Sequence, residues 1–414
     1  MSSKEVLVFI SLNNIDIRVG TLWFNIRTGR ERASFEYDKE WLRHPESFAL
    51  EPALKLTDGS FHTNDGISLF GAIGDSAPDR WGRILMRRGE IARAKKEERA
   101  SKTLFEIDYL LGVSDEARQG ALRFSLKDNK SLFLAPKNHQ AIPPIVYLPK
   151  LLSATEHFIQ DNESSEDLRL LLAPGSSLGG ARPKASIIDK DGSLAIAKFP
   201  RKDDEFNIVI WEAIALALAQ KAGINTPFWR LENIQNKPVL IIKRFDRNGE
   251  NRIPFLSALS MLGAKDNEQH SYLEIAYAIQ QNGASPDLDL SELWRRIVFS
   301  IMISNTDDHL RNHAFIYEHL KGWRLSPVYD INPTPIELKP HVLTTAIDFE
   351  DTSASIETAI SVAEDFRLSK TQTYKIIEEV KSSVKQWRTI ASKFGLSKHE
   401  CDRMSSAFRT DLFS

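Results

Sequence analysis

The stretch SNTDDHLRNHAFIYEHLKGWRLSPVYDINPT, residues 304–334, constrains the fold more than any other part of the chain. It follows an apolar-rich run, 291–304, that reads as a buried helix. Asp307 and Asn312 then stand five residues apart. Two β-type runs come next, 314–317 and 323–326, joined by a turn at Gly322, and Asp330 follows directly. A hairpin returns the chain to where it left. The second strand therefore carries Asp330 back toward the turn that holds Asp307 and Asn312.

Two carboxylates and an amide oxygen brought together in this order suit phosphoryl transfer. Such chemistry needs one carboxylate to accept the proton of the attacking hydroxyl, and an amide oxygen and a second carboxylate to hold magnesium on the nucleotide phosphates; Asp307, Asn312 and Asp330 are candidates of the right type and order. Each piece alone is common, and a buried Asp is more often a cap or an ion-pair partner; the order of loop, hairpin and aspartate carries the signal. His309 and His313, four apart, have metal-ligand spacing only on a helix. Here His309 reads as orienting the loop and His313 as opening the strand.

A nucleotide also needs a loop over its phosphates and a cation on their oxygens. Gly175, Gly179 and Gly180 open the run GSSLGGARPKASIIDKDGSLAIAKFP, which lacks the G-K-[ST] of a Walker loop and the G-x-G-x-x-G pattern. It continues as strands over 184–188 and 194–199 around a turn at 190–192. Lys198 lies on the second strand between Ala197 and Phe199, and Glu212 sits fourteen residues later in the apolar setting of a helix over 207–222. A strand lysine ordinarily faces solvent, but one paired with a carboxylate on the next helix is a kinase arrangement. The run 239–246 (VLIIKRFD) sits where a kinase joins its lobes; an ordinary sheet strand accounts for the same residues.

The rest of the chain predicts the frame. Strands are expected over 6–12, 15–24 and 32–37, separated by Asn and Gly turns. A basic helix is expected over 78–99, capped by Asp75 or Ser76, with a second helix near 102–111 and a β-type run over 121–124. A polar, proline-bearing linker spans 126–149. Helices follow over 151–159 and 166–172, and a hairpin over 228–244 turns at 235–237. Capping boxes at Ser369/Gln372 and Ser397/Glu400 open the last helices, the first with Ile376, Val380, Val384, Trp387 and Ala391 on one face. Domains are accordingly expected at 1–125, 150–250 and 251–414. With 42% hydrophobic and 27% charged residues the chain has a core to bury, and its net charge of −2 excludes a globally cationic nucleic-acid surface. A single cysteine, Cys401, excludes an intrachain disulfide framework. No signal-peptide pattern or membrane-length apolar run occurs, so the expected location is cytoplasmic.

At this point the chain resembles the HipA-type serine/threonine kinases of bacterial toxin–antitoxin pairs. DSAPDRWGRILMRR (75–88) and LLGVSDEARQGALRF (110–124) are similar to segments of that family's first domain, SSLGGARPKA to its phosphate loop, TDDHLRN to its catalytic loop and SPVYD to its metal aspartate. The resemblance implies an α+β fold: an N-terminal α/β module, then a bilobal kinase-like domain with a small β-containing lobe and a mainly helical one. It implies Asp307 as base, Asn312 and Asp330 on magnesium, and ATP contacts from Ser177, Leu178, Gly179, Gly180, Ala181, Lys198, Glu212, Lys243, Phe245 and His309. It makes Ser177 the autophosphorylated serine, with Ser176 as its near neighbour. It also implies a small helix-turn-helix antitoxin (HipB-like) as partner, operator DNA reached only through it, and a protein substrate such as an aminoacyl-tRNA synthetase. Three residues depart from the pattern: Asp308 where a small residue is usual, Arg311 for a lysine, and Lys243 for a glutamate. A corepressor without catalysis, and a small-molecule or lipid kinase, are the alternative readings.

Overall fold

The computed structural model describes residues 4–27, 30–64, 66–126, 133, 142–172, 180, 182–349 and 351–411. The chain has an α+β fold divided into two compact units: residues 1–202 with 232–256, and residues 203–231 with 257–414.

In the first unit, β1 (Lys4–Leu12), β2 (Ile15–Arg27), β3 (Arg30–Tyr37), β4 (Ser60–His62) and β5 (Leu122–Leu126) form an antiparallel sheet in the order β4-β3-β2-β1-β5. The β1–β2 turn is Asn13-Asn14, both with positive φ, the conformation a tight hairpin demands and asparagine tolerates. Helices α1 (Lys39–Leu42), α2 (Gly71–Gly74), α3 (Arg80–Lys96) and α4 (Glu106–Gly112) intervene. The N-cap of α3 is Asp79, which accepts from the Gly82 amide at 2.8 Å, and neither Asp75 nor Ser76 caps it. The chain needs a further turn after α2 before Pro78 can lead into the helix, so the cap falls four residues after Asp75.

Helices α5 (Leu148–Ile159) and α6 (Ser165–Leu172) lead to a second antiparallel sheet. It contains β6 (Lys184–Ile188), β7 (Leu194–Lys198), β8 (Trp229–Ile234) and β9 (Lys237–Lys243), in the order β6-β7-β9-β8. Its core joins Trp81 and Leu85 of α3, Leu151, Leu152 and Phe158 of α5, and Ile187, Ala197 and Ile241 of the strands. The basic helix thus packs its apolar face beneath this sheet, with the Trp81 indole donating to Lys184 O at 3.0 Å. A short ribbon, β10 (Arg247–Asn248) with β11 (Asn251–Arg252), follows.

The second unit is mainly helical. It holds α7 (Ile208–Lys221), α8 (Ala258–Leu262), α9 (Tyr272–Asn282), α10 (Pro286–Met302), α11 (Ile356–Ser361), α12 (Lys370–Val384), α13 (Trp387–Lys393) and α14 (Lys398–Arg403). Strand β12 (Phe255–Ser257) leads into it and pairs with the hairpin β13 (Ala314–Glu318) and β14 (Gly322–Leu325). Both expected capping boxes form, at Ser369/Gln372 and Ser397/Glu400. The apolar face from Ile376 to Ala391 is buried throughout, but two helices carry it, because α12 ends at Val384 and α13 restarts at Trp387. Trp387 stacks on Phe408 at 4.4 Å, and Ser383 Oγ donates to Leu218 O of α7 at 2.7 Å.

Candidate active site

The loop after α10 is the site's floor. Ser304 takes a left-handed backbone, and its hydroxyl donates to Ala407 O at 2.9 Å, so the helix ends and the chain turns sharply. Asp307 then projects outward, its side chain 68% exposed, with Lys339 Nζ 4.0 Å from Oδ1. A short 3₁₀ turn, Leu310–Asn312, brings Asn312 back against it. The Asn312 side-chain nitrogen donates to Asp307 O at 3.0 Å. Its amide oxygen is buried with no hydrogen-bond partner among the described residues. A buried acceptor left unpaired costs about 1–3 kcal/mol, which a bound water or cation would offset, so the Asn312 oxygen is of the right kind to ligate a cation.

Asp308 takes the opposite direction and is 3% exposed. Its carboxylate accepts from the Tyr272 hydroxyl and from Ser300 Oγ at 3.2 Å. His313 Nε2 lies 3.0 Å from its Oδ1, off the line of a straight hydrogen bond. Burial pushes this carboxyl up, but the imidazole of His313, the Tyr272 hydroxyl and His309 outweigh it and hold it below the usual aspartate value. The backbone is tied too: Thr345 Oγ1 donates to Asp308 O at 2.6 Å, and Thr344 N and Oγ1 donate to Thr306 O at 3.1 and 2.9 Å.

The β13–β14 hairpin pairs Phe315 with Leu325 and Glu318 with Gly322, as its turn residues predict. Gly322 has φ +117, and a Cβ there would meet Asn282 O at 2.7 Å, so only glycine closes the turn. Beyond the hairpin, two bonds bracket Asp330. Tyr329 OH donates to Arg311 O at 2.7 Å, and Asn332 N donates to Asn305 Oδ1 at 3.1 Å. Residues on both sides of the Asp307 loop thus hold the Asp330 segment, and Asp330 itself adopts a left-handed backbone (φ +57). That conformation persists in a non-glycine residue only where its surroundings fix it. Arg311 turns away to pair with Asp266 at 2.8 Å.

Of the expected nucleotide residues, Ser177, Leu178, Gly179 and Ala181 lie outside the described residues. Gly180 has φ +93. Lys198 ends β7, paired in register with Lys184 on one side and Leu240 on the other. Glu212 is buried on α7 of the second unit. Lys243 Nζ pairs with Asp191 Oδ2 at 3.1 Å, at the strand end, and the Phe245 ring is 6.3 Å from that of Phe255. His309 keeps a buried, unpartnered Nδ1 while its amide donates to Asp307 O at 3.0 Å.

Two features escape a reading of the sequence. Lys184, 5% exposed, donates to the α3 cap Asp79 at 2.8 Å and contacts Gly180 O at 3.4 Å. It ties Gly180 to the cap of α3; the one signal for it was a lysine opening a mostly apolar strand. The second is a buried charge cluster just beyond the end of β9. Asp246 accepts from Arg244 Nε at 2.8 Å, Arg247 Nη1 at 2.8 Å and the Gly120 amide at 2.7 Å. Arg244 and Arg247 in turn donate to Ala117 O and Arg118 O, both at 2.6 Å, and Arg252 to Asp115 O at 2.7 Å. Burial raises the Asp246 carboxyl, but Arg244 and Arg247 dominate and hold it far below its ordinary value. The segment 115–120 is thereby locked to the strand end.

An exposed carboxylate, a buried amide oxygen and a second aspartate in a constrained backbone are what this loop offers, on a chain with a HipA kinase-like fold. Residues 176–387 match the model of the HipA-like C-terminal domain, just over half of the chain, and the chain belongs to that family. It is similar over its whole length to the Shewanella oneidensis MR-1 toxin–antitoxin complex of HipA, HipB and operator DNA. That match has TM-score 0.68 and 16% identity and covers 98% of this chain and 96% of the other, a likeness of fold. A Haemophilus influenzae protein named as a candidate kinase is 27% identical over 217 residues, 44% of this chain and 62% of its own. A second, Y4dM of Sinorhizobium fredii, is 26% identical over 231 residues, 53% of this chain and 47% of its own. The chain thus spans less than two thirds of either relative.

Proposed function

We propose that the protein is an ATP- and magnesium-dependent serine/threonine protein kinase. The single observation that carries this reading is the Asp307–Asn312 pair: a solvent-facing carboxylate five residues before a buried amide oxygen with no partner among the described residues. The donor set suits magnesium, a hard cation that takes oxygen ligands. Asn312 and Asp330 would hold it, and when bound it neutralises charge on the phosphate oxygens.

The chain's own residues perform the remaining work. Asp307 accepts the proton of the acceptor hydroxyl as that oxygen bonds to the γ-phosphorus and the bond to the ADP oxygen breaks. The ATP contacts that the resemblance assigns to Lys198, Glu212, Lys243, Phe245, His309 and residues 177–181 belong to the same proposal. The likeness to a complex of HipA, HipB and operator DNA supports a HipB-like antitoxin as partner, with DNA reached through it; a protein substrate such as an aminoacyl-tRNA synthetase is proposed from the sequence resemblance alone.

Radiolabel transfer from ATP to protein tests the reading. Asp307→Asn is expected to lower the rate about 10²–10⁴-fold while ATP still binds, since the carboxylate acts on the acceptor and not on the nucleotide. Equal rates in both proteins would refute Asp307 as base, and no transfer by the native chain would favour a corepressor without catalysis.

A further inference from the structure

The functional pair Asp307/Asn312 is shadowed by a second pair one residue along. Asp308 and His313 have the same five-residue spacing, but both are buried, and they touch each other at 3.0 Å. Asp307 and Asp308 are neighbours with opposite fates: one faces solvent, the other lies under Tyr272, Ser300 and His313. Because consecutive side chains on this turn point apart, fixing Asp308 inward fixes where Asp307 points. The same holds at the other end, where His313 follows Asn312 and its ring stands edge-on to Tyr272 at 5.6 Å. Thr345 pins the Asp308 carbonyl as well.

We propose that Asp308 and His313, gripped by Tyr272, form an internal strut that sets the position of the base relative to the metal-binding asparagine. They are positioning residues for phosphoryl transfer, and this inference rests on the kinase reading. The strut touches neither acceptor nor nucleotide. Its loss therefore lets the Asp307 carboxylate drift while leaving the nucleotide contacts in place. A displacement of about 1 Å costs on the order of 10²-fold in rate.

The test compares the native chain with Asp308→Asn, His313→Asn, the double variant and Tyr272→Phe, measuring kcat, KM for ATP and melting temperature. The Asp308 and His313 single variants are expected to lose about 10²-fold in kcat, with KM for ATP changed less than about threefold, the pattern of an interaction needed only in the transition state. The double variant is expected to be no slower than the worse single, because the two act as one unit. Tyr272→Phe removes one hydroxyl and keeps the ring. It should fold normally and still lose about tenfold, being one of several grips on Asp308. Native kcat in every variant, or losses that only track the unfolded fraction, would overturn the strut. A native chain without transfer would overturn the kinase reading and this inference with it.

Discussion

Asn312 gives the sharpest chemistry at the scale of single residues. Its side-chain nitrogen is spent on the Asp307 carbonyl, which orients the amide and leaves its oxygen buried without a partner among the described residues. Asp330 is held in an uncommon backbone conformation by neighbours bonded to Arg311 and Asn305. If both hold magnesium, Asp330→Ala and Asn312→Ala should each weaken ATP binding in the presence of magnesium and barely alter it in EDTA. The charged ligand should lose more, about tenfold or above, since charge-assisted contacts are roughly twice as strong as neutral ones. Calorimetric titration with and without metal checks this; native affinity in both variants would remove these residues from the metal site. Asp308 shows what the sequence withholds at this scale. Two adjacent aspartates read alike in one dimension, and only the turn after α10 sends one to solvent and the other into the core.

Among elements, the short-range signals were legible and the long-range ones were not. The Asn13-Asn14 and Gln235-Asn236 turns, both left-handed, and the two capping boxes depend on residues within four positions of each other. The loop–hairpin–aspartate order was readable for the same reason. The arginine cluster was not: Asp115 meets Arg252, and Gly120 meets Asp246, across more than a hundred residues. Another illegible contact is the buried Glu51, which accepts from the Ala72 amide in the first turn of α2. Burial, opposed by that amide and reinforced by Asp75, lifts its carboxyl from 4.5 to about 7. Folding therefore favours the protonated form. Its contribution is fully present below pH 4.5 and is lost as pH rises through about 7. The difference corresponds to about 3 kcal/mol. Glu51→Gln keeps the acceptor and removes the charge. The variant should match the native chain near pH 4.5 and gain over it up to pH 8, as denaturant unfolding across that range would show. A constant difference at all pH values would contradict the shift.

For the whole molecule, the proposed kinase activity would need restraint, from a partner or from the chain itself. The chain is nearly neutral overall, and among the described residues no helix is long and apolar enough to cross a membrane. Self-restraint is chemically available in the glycine loop. Gly180 has the left-handed backbone that such loops use, and the buried Lys184 ties its carbonyl to the cap of α3. A phosphate on Ser177 would bring about −1.5 to −2 charges to the segment proposed to contact ATP. It would repel the nucleotide's phosphates or take their amide donors, emptying the site. Two outcomes follow if the kinase reading holds. Expression of the native chain without a partner should arrest growth, and Asp307→Asn should relieve the arrest. Mass spectrometry should find phosphate on Ser177, or on the adjacent Ser176, in native protein and on neither in the Asp307→Asn protein. Ser177→Ala should then remain active and be more toxic than the native chain, because it cannot switch itself off. An unmodified loop in active protein, or phosphate that appears without Asp307, would leave restraint to the antitoxin alone.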